Sequence, residues 1–273
     1  MRVSRRTVLL ASGGIGVAAA GCERTESGRV AAVEPRVQRI TYGDDPSQWV
    51  DVREPQVPSR GLVAVIHGGF WKAQYGAEYA EPLAVDLVGR GWTTATLEYR
   101  RVGNGGGYPE TLDDVHAALG VLAPFAAGPL VALGHSAGGH LATWAAARGR
   151  FDRWSGGPDL THVVSQAGVL DLRSAVREHL GTDAALAFLG DPDEAAYDRA
   201  DPLAQVPLDV PVWAVHARDD DTVPFAQAET YVAAAERAGA DATLVEVTGG
   251  HFGVIDTAGD AWAACVEVLD SIA

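Results

Sequence analysis

Five residues, Gly134, His135, Ser136, Ala137 and Gly138, make a G-x-S-x-G pattern between the apolar run PLVAL and the helix-forming run AGGHLATWAAA. At a sharp strand-to-helix turn the flanking glycines relieve crowding and the serine hydroxyl is pushed out at the carboxyl edge of a sheet. The free N–H groups at the start of the helix then face whatever negative charge develops there. Ser136 is therefore a candidate nucleophile. The plainer reading of the five letters is a glycine-rich helix start with a capping serine. It loses weight because a strand pattern precedes the motif and a helix pattern follows it. Two other places carry reactive groups. The run LVAVI ends in His67, Gly68, Gly69, Phe70 and Trp71, and the run VPVWAVHAR ends in three acids, Asp219, Asp220 and Asp221. An acidic run of this kind is most often a solvated turn.

Distant residues of this sort can meet only if a regular scaffold carries them to one edge. Periodicity and composition predict strands at 38–42, 49–52, 62–66, 93–99, 130–133, 163–166, 212–216 and 242–247. Helical spacing is read at 77–88, 109–125, 137–148, 225–238 and 260–272. Pro109 and the acids Glu110, Asp113 and Asp114 suit the first turn of the second of these helices. Strand followed by helix, repeated, predicts an α/β fold with a mostly parallel central sheet and helices on both faces. The stretch 171–203 breaks the alternation; short helical pieces parted by Gly and Pro predict a small helical cap inserted over the sheet. There is no internal repeat and no second-domain linker.

HGGFW at residues 67–71 and GHSAGGH at residues 134–140 resemble the α/β-hydrolase superfamily, in its branch of small esterases and kynurenine-formamidase-like enzymes; the resemblance covers essentially the whole chain after residue 37. It implies the α/β-hydrolase fold and a triad in the chain order serine, acid, histidine. Of the eight histidines only His251 lies downstream of the aspartates, in a loop GGHFGVI similar to the family's histidine loop, so it is the implied base. The family spacing H-G-x-x-D-x-x-V-P puts the acid at Asp220, framed by His216, Val223 and Pro224, with Ala217 in place of the usual glycine. Asp219 is the second choice, and Asp219 and Asp221 otherwise read as solvated.

The resemblance also implies oxyanion N–H donors at Gly69, Phe70 and Ala137, each worth roughly 3 kcal/mol of barrier. His67 is expected to support that loop and His140 to pack on the first turns of the nucleophile helix. His116, His162 and His179 are expected at the surface or in satisfied structural roles. Trp71, Tyr75 and Tyr108, with the glycine-rich loop at 101–108, are expected to rim an acyl or aryl pocket. For Trp71 the equal alternative is packing beneath the loop.

Composition narrows the rest. The 273 residues are 47% hydrophobic and 21% charged, as in an ordinary folded protein. A net charge of −15 argues against nucleic acid as a partner. Two cysteines, Cys22 and Cys265, make neither a disulfide framework nor a metal site, and no histidine pairs with acids at metal spacing. The run GNGGG lacks the Lys and Ser/Thr of a phosphate-binding loop and the spacing of a dinucleotide fingerprint, so no cofactor is expected.

Arg2, Arg5 and Arg6 head a weakly apolar stretch at 8–20, which ends in Ala19, Ala20, Gly21 and Cys22 with no acid before Glu23. The stretch is shorter than the roughly 18 residues of a membrane span. It reads as a signal peptide at 1–21. SRRTVL resembles a twin-arginine export signal, and the end resembles a bacterial lipobox without its usual leucine. The bland alternative is an arginine-headed disordered tail with an accidental cysteine. On the signal reading Cys22 is lipidated, 22–36 is a polar linker, 37–273 is the catalytic domain, and the protein is exported and anchored to a bacterial membrane.

The expected activity is hydrolysis of a small carboxylic ester or aryl amide through an acyl-enzyme, without a metal. Arylformamidase and small serine exopeptidase-like activities are the enzymatic alternatives. A catalytically inactive lipid-anchored binding protein is the non-enzymatic one. The small cap predicts a preference for short acyl chains.

Overall fold

Strands form where β-branched and apolar residues run together, and the five residues LVAVI of β3 (Leu62–Ile66) are buried on both faces. In the computed structural model, which describes residues 36–273, seven more strands join it: β1 (Val37–Thr41), β2 (Trp49–Arg53), β4 (Thr93–Glu98), β5 (Leu130–His135), β6 (His162–Gln166), β7 (Val212–Ala217) and β8 (Ala242–Val247). Their order across the sheet is β1-β2-β4-β3-β5-β6-β7-β8. The first two pairings are antiparallel and all others parallel. The signal at 1–21, Cys22 and all of the linker except Arg36 lie outside the described residues. Among the described residues no helix is long and apolar enough to cross a membrane.

The two-residue period of β3 divides the core. Leu62, Ala64 and Ile66 face helices α2 (Glu110–Gly120), α3 (Ala137–Ala147) and α7 (Ala226–Arg237) through Leu112, Leu141 and Tyr231. Val63 and Val65 face α1 (Glu81–Gly89) and α9 (Asp260–Ile272) through Leu83, Leu87 and Trp262. Two expected helices are divided. Residues 77–88 split into a 3-10 turn, Ala77–Tyr79, and α1, whose second residue Pro82 suits a fresh start rather than a helix interior. Residues 109–125 end as α2 at Gly120 and resume as a 3-10 turn, Ala123–Phe125, that contains Pro124.

The stretch 171–203 folds into α4 (Leu172–Arg177), α5 (Leu180–Leu189) and α6 (Glu194–Ala200), followed by the 3-10 turn Pro202–Gln205. Asp171 and Asp193 cap α4 and α6 by accepting from Ser174 N and Ala196 N, each at 2.8 Å. Left-handed Gly181, Thr182 and Asp183, with φ near +60°, interrupt the start of α5. The stretch docks on α3, where Trp144 Nε1 donates to Arg199 O and His140 Nε2 to Ala200 O, both at 2.9 Å.

Candidate active site

Ser136 occupies the single residue between β5 and α3 and adopts φ 56°, ψ −120°. A serine in this region costs on the order of 1–3 kcal/mol and persists only where its surroundings impose it. Here Ser136 N donates to Gln166 O on β6 at 2.8 Å, and Ser136 O accepts from His140 N at 3.2 Å. Gly138 permits the close approach of the neighbouring strand end, since a Cβ there would meet His67 O at 2.6 Å. The turn leaves Ala137 at the start of α3, where helix geometry provides its N–H no intrahelical acceptor.

Asp220 follows β7 in a tight turn, its Oδ1 accepting from Thr222 N and Val223 N, both at 2.8 Å. Its Oδ2 faces two imidazoles, His251 Nδ1 at 2.8 Å and His216 Nε2 at 3.2 Å, and its side chain is wholly buried. Burial alone would raise this carboxyl, but the contacts from His216 and His251 and the backbone donor of Val223 prevail and hold it well below the usual carboxylate range. The proton between the pair therefore sits on Nδ1, which in a neutral ring leaves Nε2 of His251 as the base.

His251 lies in the short helix α8 (Gly250–Gly253) after β8. Three anchors hold that segment. His135 Nε2 donates to His251 O at 2.9 Å, Gln166 Nε2 to Val254 O at 2.5 Å, and Asp219 accepts from Gly249 N at 3.1 Å and Gly250 N at 3.2 Å. Asp219 is exposed, as a solvated turn requires, yet its carboxylate is spent on this loop rather than on water alone. Asp221 is exposed and accepts from Thr222 Oγ1 at 3.1 Å.

Gly69 (φ 108°) and Phe70 (φ 53°) turn the chain sharply after β3, and a Cβ at Gly69 would run into Tyr75. Among the described residues neither Gly69 N, Phe70 N nor Ala137 N donates to a protein acceptor. Gly69 and Phe70 line one cavity with Ser136 and His251, of about 190 Å³, together with Tyr75, Tyr79, Phe252 and Ile255. His135, Thr222 and Gly68 complete it. The wall is largely aromatic and aliphatic, suited to an uncharged acyl or aryl group.

Two expected pocket residues lie elsewhere. Trp71 is fully buried beneath the loop, stacked on Phe188 with centroids 4.8 Å apart and donating Nε1 to His140 Nδ1 at 3.2 Å. Tyr108 and the glycine-rich loop do not reach the Ser136 cavity either. Tyr108 N donates to Phe188 O at 2.7 Å, and the residue borders a separate groove with Arg150, Arg153 and Arg199. No residue of 171–203 lines the Ser136 cavity. Sequence reasoning missed His135, Tyr79, Phe252 and Ile255. His135 and Phe252 carried a signal, because each adjoins a candidate catalytic residue in the chain.

Residues 50–234 match the BD-FAE family profile, a span that contains Ser136 and Asp220 and stops short of His251. No curated protein matches the chain. Among solved structures, a truncated form of a carbohydrate esterase from gut microbiota superposes with a TM-score of 0.72 at 21% identity, covering 85% of this chain and 94% of its own. Esterase B from Lactobacillus rhamnosis HN001 gives 0.74 at 19% identity over 88% and 85% of the two chains. Thermogutta terrifontis esterase 2, in a form phosphoramylated by tabun, gives 0.69 at 20% identity over 89% and 96%. At these identities the likeness is one of fold, and that fold is the α/β-hydrolase fold.

Proposed function

The chain belongs to the BD-FAE family, and from that premise we propose that it is a serine hydrolase cleaving a small carboxylic ester, or an aryl amide, through an acyl-enzyme. One observation carries the reading: Ser136, in its strained turn, shares a cavity with His251, which is bonded to the buried Asp220. His251 Nε2 takes the Ser136 proton as Oγ attacks the substrate carbonyl carbon, and Asp220 steadies the imidazolium that forms. The carbonyl oxygen, now negative, is met by N–H groups of Gly69, Phe70 and Ala137. Collapse expels the alcohol or amine, which leaves with the proton from His251. Water, deprotonated by the same imidazole, then attacks the acyl-Ser136 ester; the acid departs and Ser136 recovers its proton.

The catalytic domain on this reading is 37–273, with 171–203 as its cap. The cavity of about 190 Å³ favours short acyl groups. Export and lipid attachment at Cys22 form part of the same proposal, supported by the order of charged head, apolar middle and small-residue end.

A panel of p-nitrophenyl esters tests the substrate class. Acetate and butyrate are expected to exceed octanoate in kcat/KM, with aminoacyl anilides and formylkynurenine below all three; a preference for octanoate, or failure to cleave every ester and anilide of the panel, would contradict the assignment. For the anchor, a palmitate analogue should label the wild type and not Cys22→Ser.

A further inference from the structure

We propose that Glu98, at the end of β4, is a positioning residue that sets the oxyanion loop by tying down both of its ends, an inference that rests on the serine-hydrolase reading above. The loop in question runs from Gly68 to Gly76 and carries the N–H groups of Gly69 and Phe70 and the wall residue Tyr75. At its far end Glu98 Oε2 accepts from Ala77 N at 2.9 Å. At its near end Glu98 Oε1 lies 3.3 Å from His67 Nε2 and accepts from Tyr99 N at 3.0 Å and from Arg101 Nη1. His67 passes the constraint into the loop, since its Nδ1 donates to Gly68 O at 2.7 Å. Tyr99 backs the same ring, stacked at 4.3 Å between centroids, with its hydroxyl donating to His67 O at 2.7 Å. Gly76 has to be a glycine for the carboxylate to come so near, because a Cβ there would meet Glu98 Oε2 at 2.8 Å.

Glu98, Arg101 and His67 are all buried. A buried ion pair adds little stability over well-packed apolar residues; in this protein the pair fixes a geometry. Here that geometry belongs to a loop with left-handed Phe70 and Trp71, which would relax if its two ends were released. Burial opposes the charge on Glu98, but His67, Arg101 and the Ala77 N–H together hold its carboxyl below the ordinary range, so it is ionised at neutral pH. Arg101 reaches Glu98 through one nitrogen, and its Nε has no partner among the described residues. A lysine can replace such a single-nitrogen contact where it could not replace a two-pronged one.

The test compares wild type with Glu98→Gln, Arg101→Met and Arg101→Lys, reading kcat and KM on p-nitrophenyl acetate, thermal unfolding, and inhibition by a boronic acid that forms a tetrahedral adduct with an active-site serine. Displaced oxyanion donors weaken the tetrahedral state and not the bound ester. Glu98→Gln and Arg101→Met should therefore lower kcat by about 10–100-fold with KM within about twofold. Boronate affinity should fall by the same factor, and Arg101→Lys should retain most of the wild-type kcat. If Glu98→Gln does not fold, the contrast between Arg101→Met and Arg101→Lys decides alone. Variants that melt earlier yet keep kcat and boronate affinity would reduce Glu98 to a structural role and overturn the proposal. An active wild type labelled at Ser136, with Glu98→Gln unimpaired, overturns this inference only; a wild type inactive on every ester overturns the serine-hydrolase reading with it.

Discussion

His135 donates its Nε2 hydrogen to the main-chain carbonyl of His251, 2.9 Å away, and the two rings pack with centroids 4.6 Å apart. The variable letter of the G-x-S-x-G motif thus holds in place the backbone of the residue that must serve the motif's serine. Burial pushes the His135 imidazole down to about 3, so it stays neutral and remains a donor at Nε2 throughout the working range. His135→Ala leaves the His251 carbonyl without this partner and frees the ring above it, a loss of about 1–2 kcal/mol. The expected outcome is a fall in kcat/KM of roughly tenfold. Unchanged kinetics on p-nitrophenyl acetate would show that the other anchors suffice.

The three neighbouring acids should separate cleanly in the same assay. Asp220→Asn removes the charge that fixes the His251 tautomer and is expected to lower kcat by about 10⁴-fold. Asp219→Ala releases two backbone donors of the histidine loop at an exposed position and should cost no more than roughly fivefold. Asp221→Ala should change nothing. A variant at Asp219 worse than one at Asp220 would mean that the acid had been assigned to the wrong aspartate.

Stability should fall on mild acidification through buried neutral imidazoles. His140 accepts from Trp71 Nε1 at Nδ1 and donates to Ala200 O from Nε2, so both nitrogens are occupied, and burial pushes it down to about 4. An unfolded histidine titrates near 6.5, so below that pH the unfolded chain takes up a proton that the folded chain refuses. Its stabilising effect is complete above about pH 6.5 and is lost towards pH 4. Asp201, pushed up to about 6 by burial, acts in the opposite sense over part of that window. Between pH 7 and pH 5 the His140 share of the loss is about 2 kcal/mol, and His140→Gln should flatten the wild-type dependence by that amount in urea titrations. Parallel curves for the two proteins would contradict the burial argument.

The sheet was legible because its strands are short apolar runs bounded by breakers; all eight were expected within one or two residues of where they lie, and the strand–helix alternation implied the parallel pairing of β3 to β8, while β1 and β2 pair antiparallel. The helix boundaries at Pro82 and Pro124 were blurred, since helical spacing continues across a proline that restarts the helix. At the site, motif context singled out Ser136, and the chain order and acid spacing implied by the family resemblance pointed to His251 and Asp220; the structure puts Ser136 and His251 on one cavity and His251 on Asp220. Pocket walls were less readable. Trp71 directly follows the HGG motif and Tyr108 ends the glycine-rich loop after the next strand, but Trp71 turns inward onto Phe188, and Tyr108 is drawn to the backbone of α5. Residues such as Glu98 and Gln166 could not be singled out from sequence, because their importance lies in loops that only the folded sheet brings over them.

The central claim is that Ser136 is a nucleophile activated by His251, and reaction with a fluorophosphonate probe, followed by mapping of the modified peptide, tests it most directly. The account predicts stoichiometric modification of folded wild type at Ser136, none in Ser136→Ala, and labelling slowed by at least about 100-fold in His251→Ala. Modification at another residue, or ester hydrolysis that persists at the wild-type rate in Ser136→Ala, would contradict it.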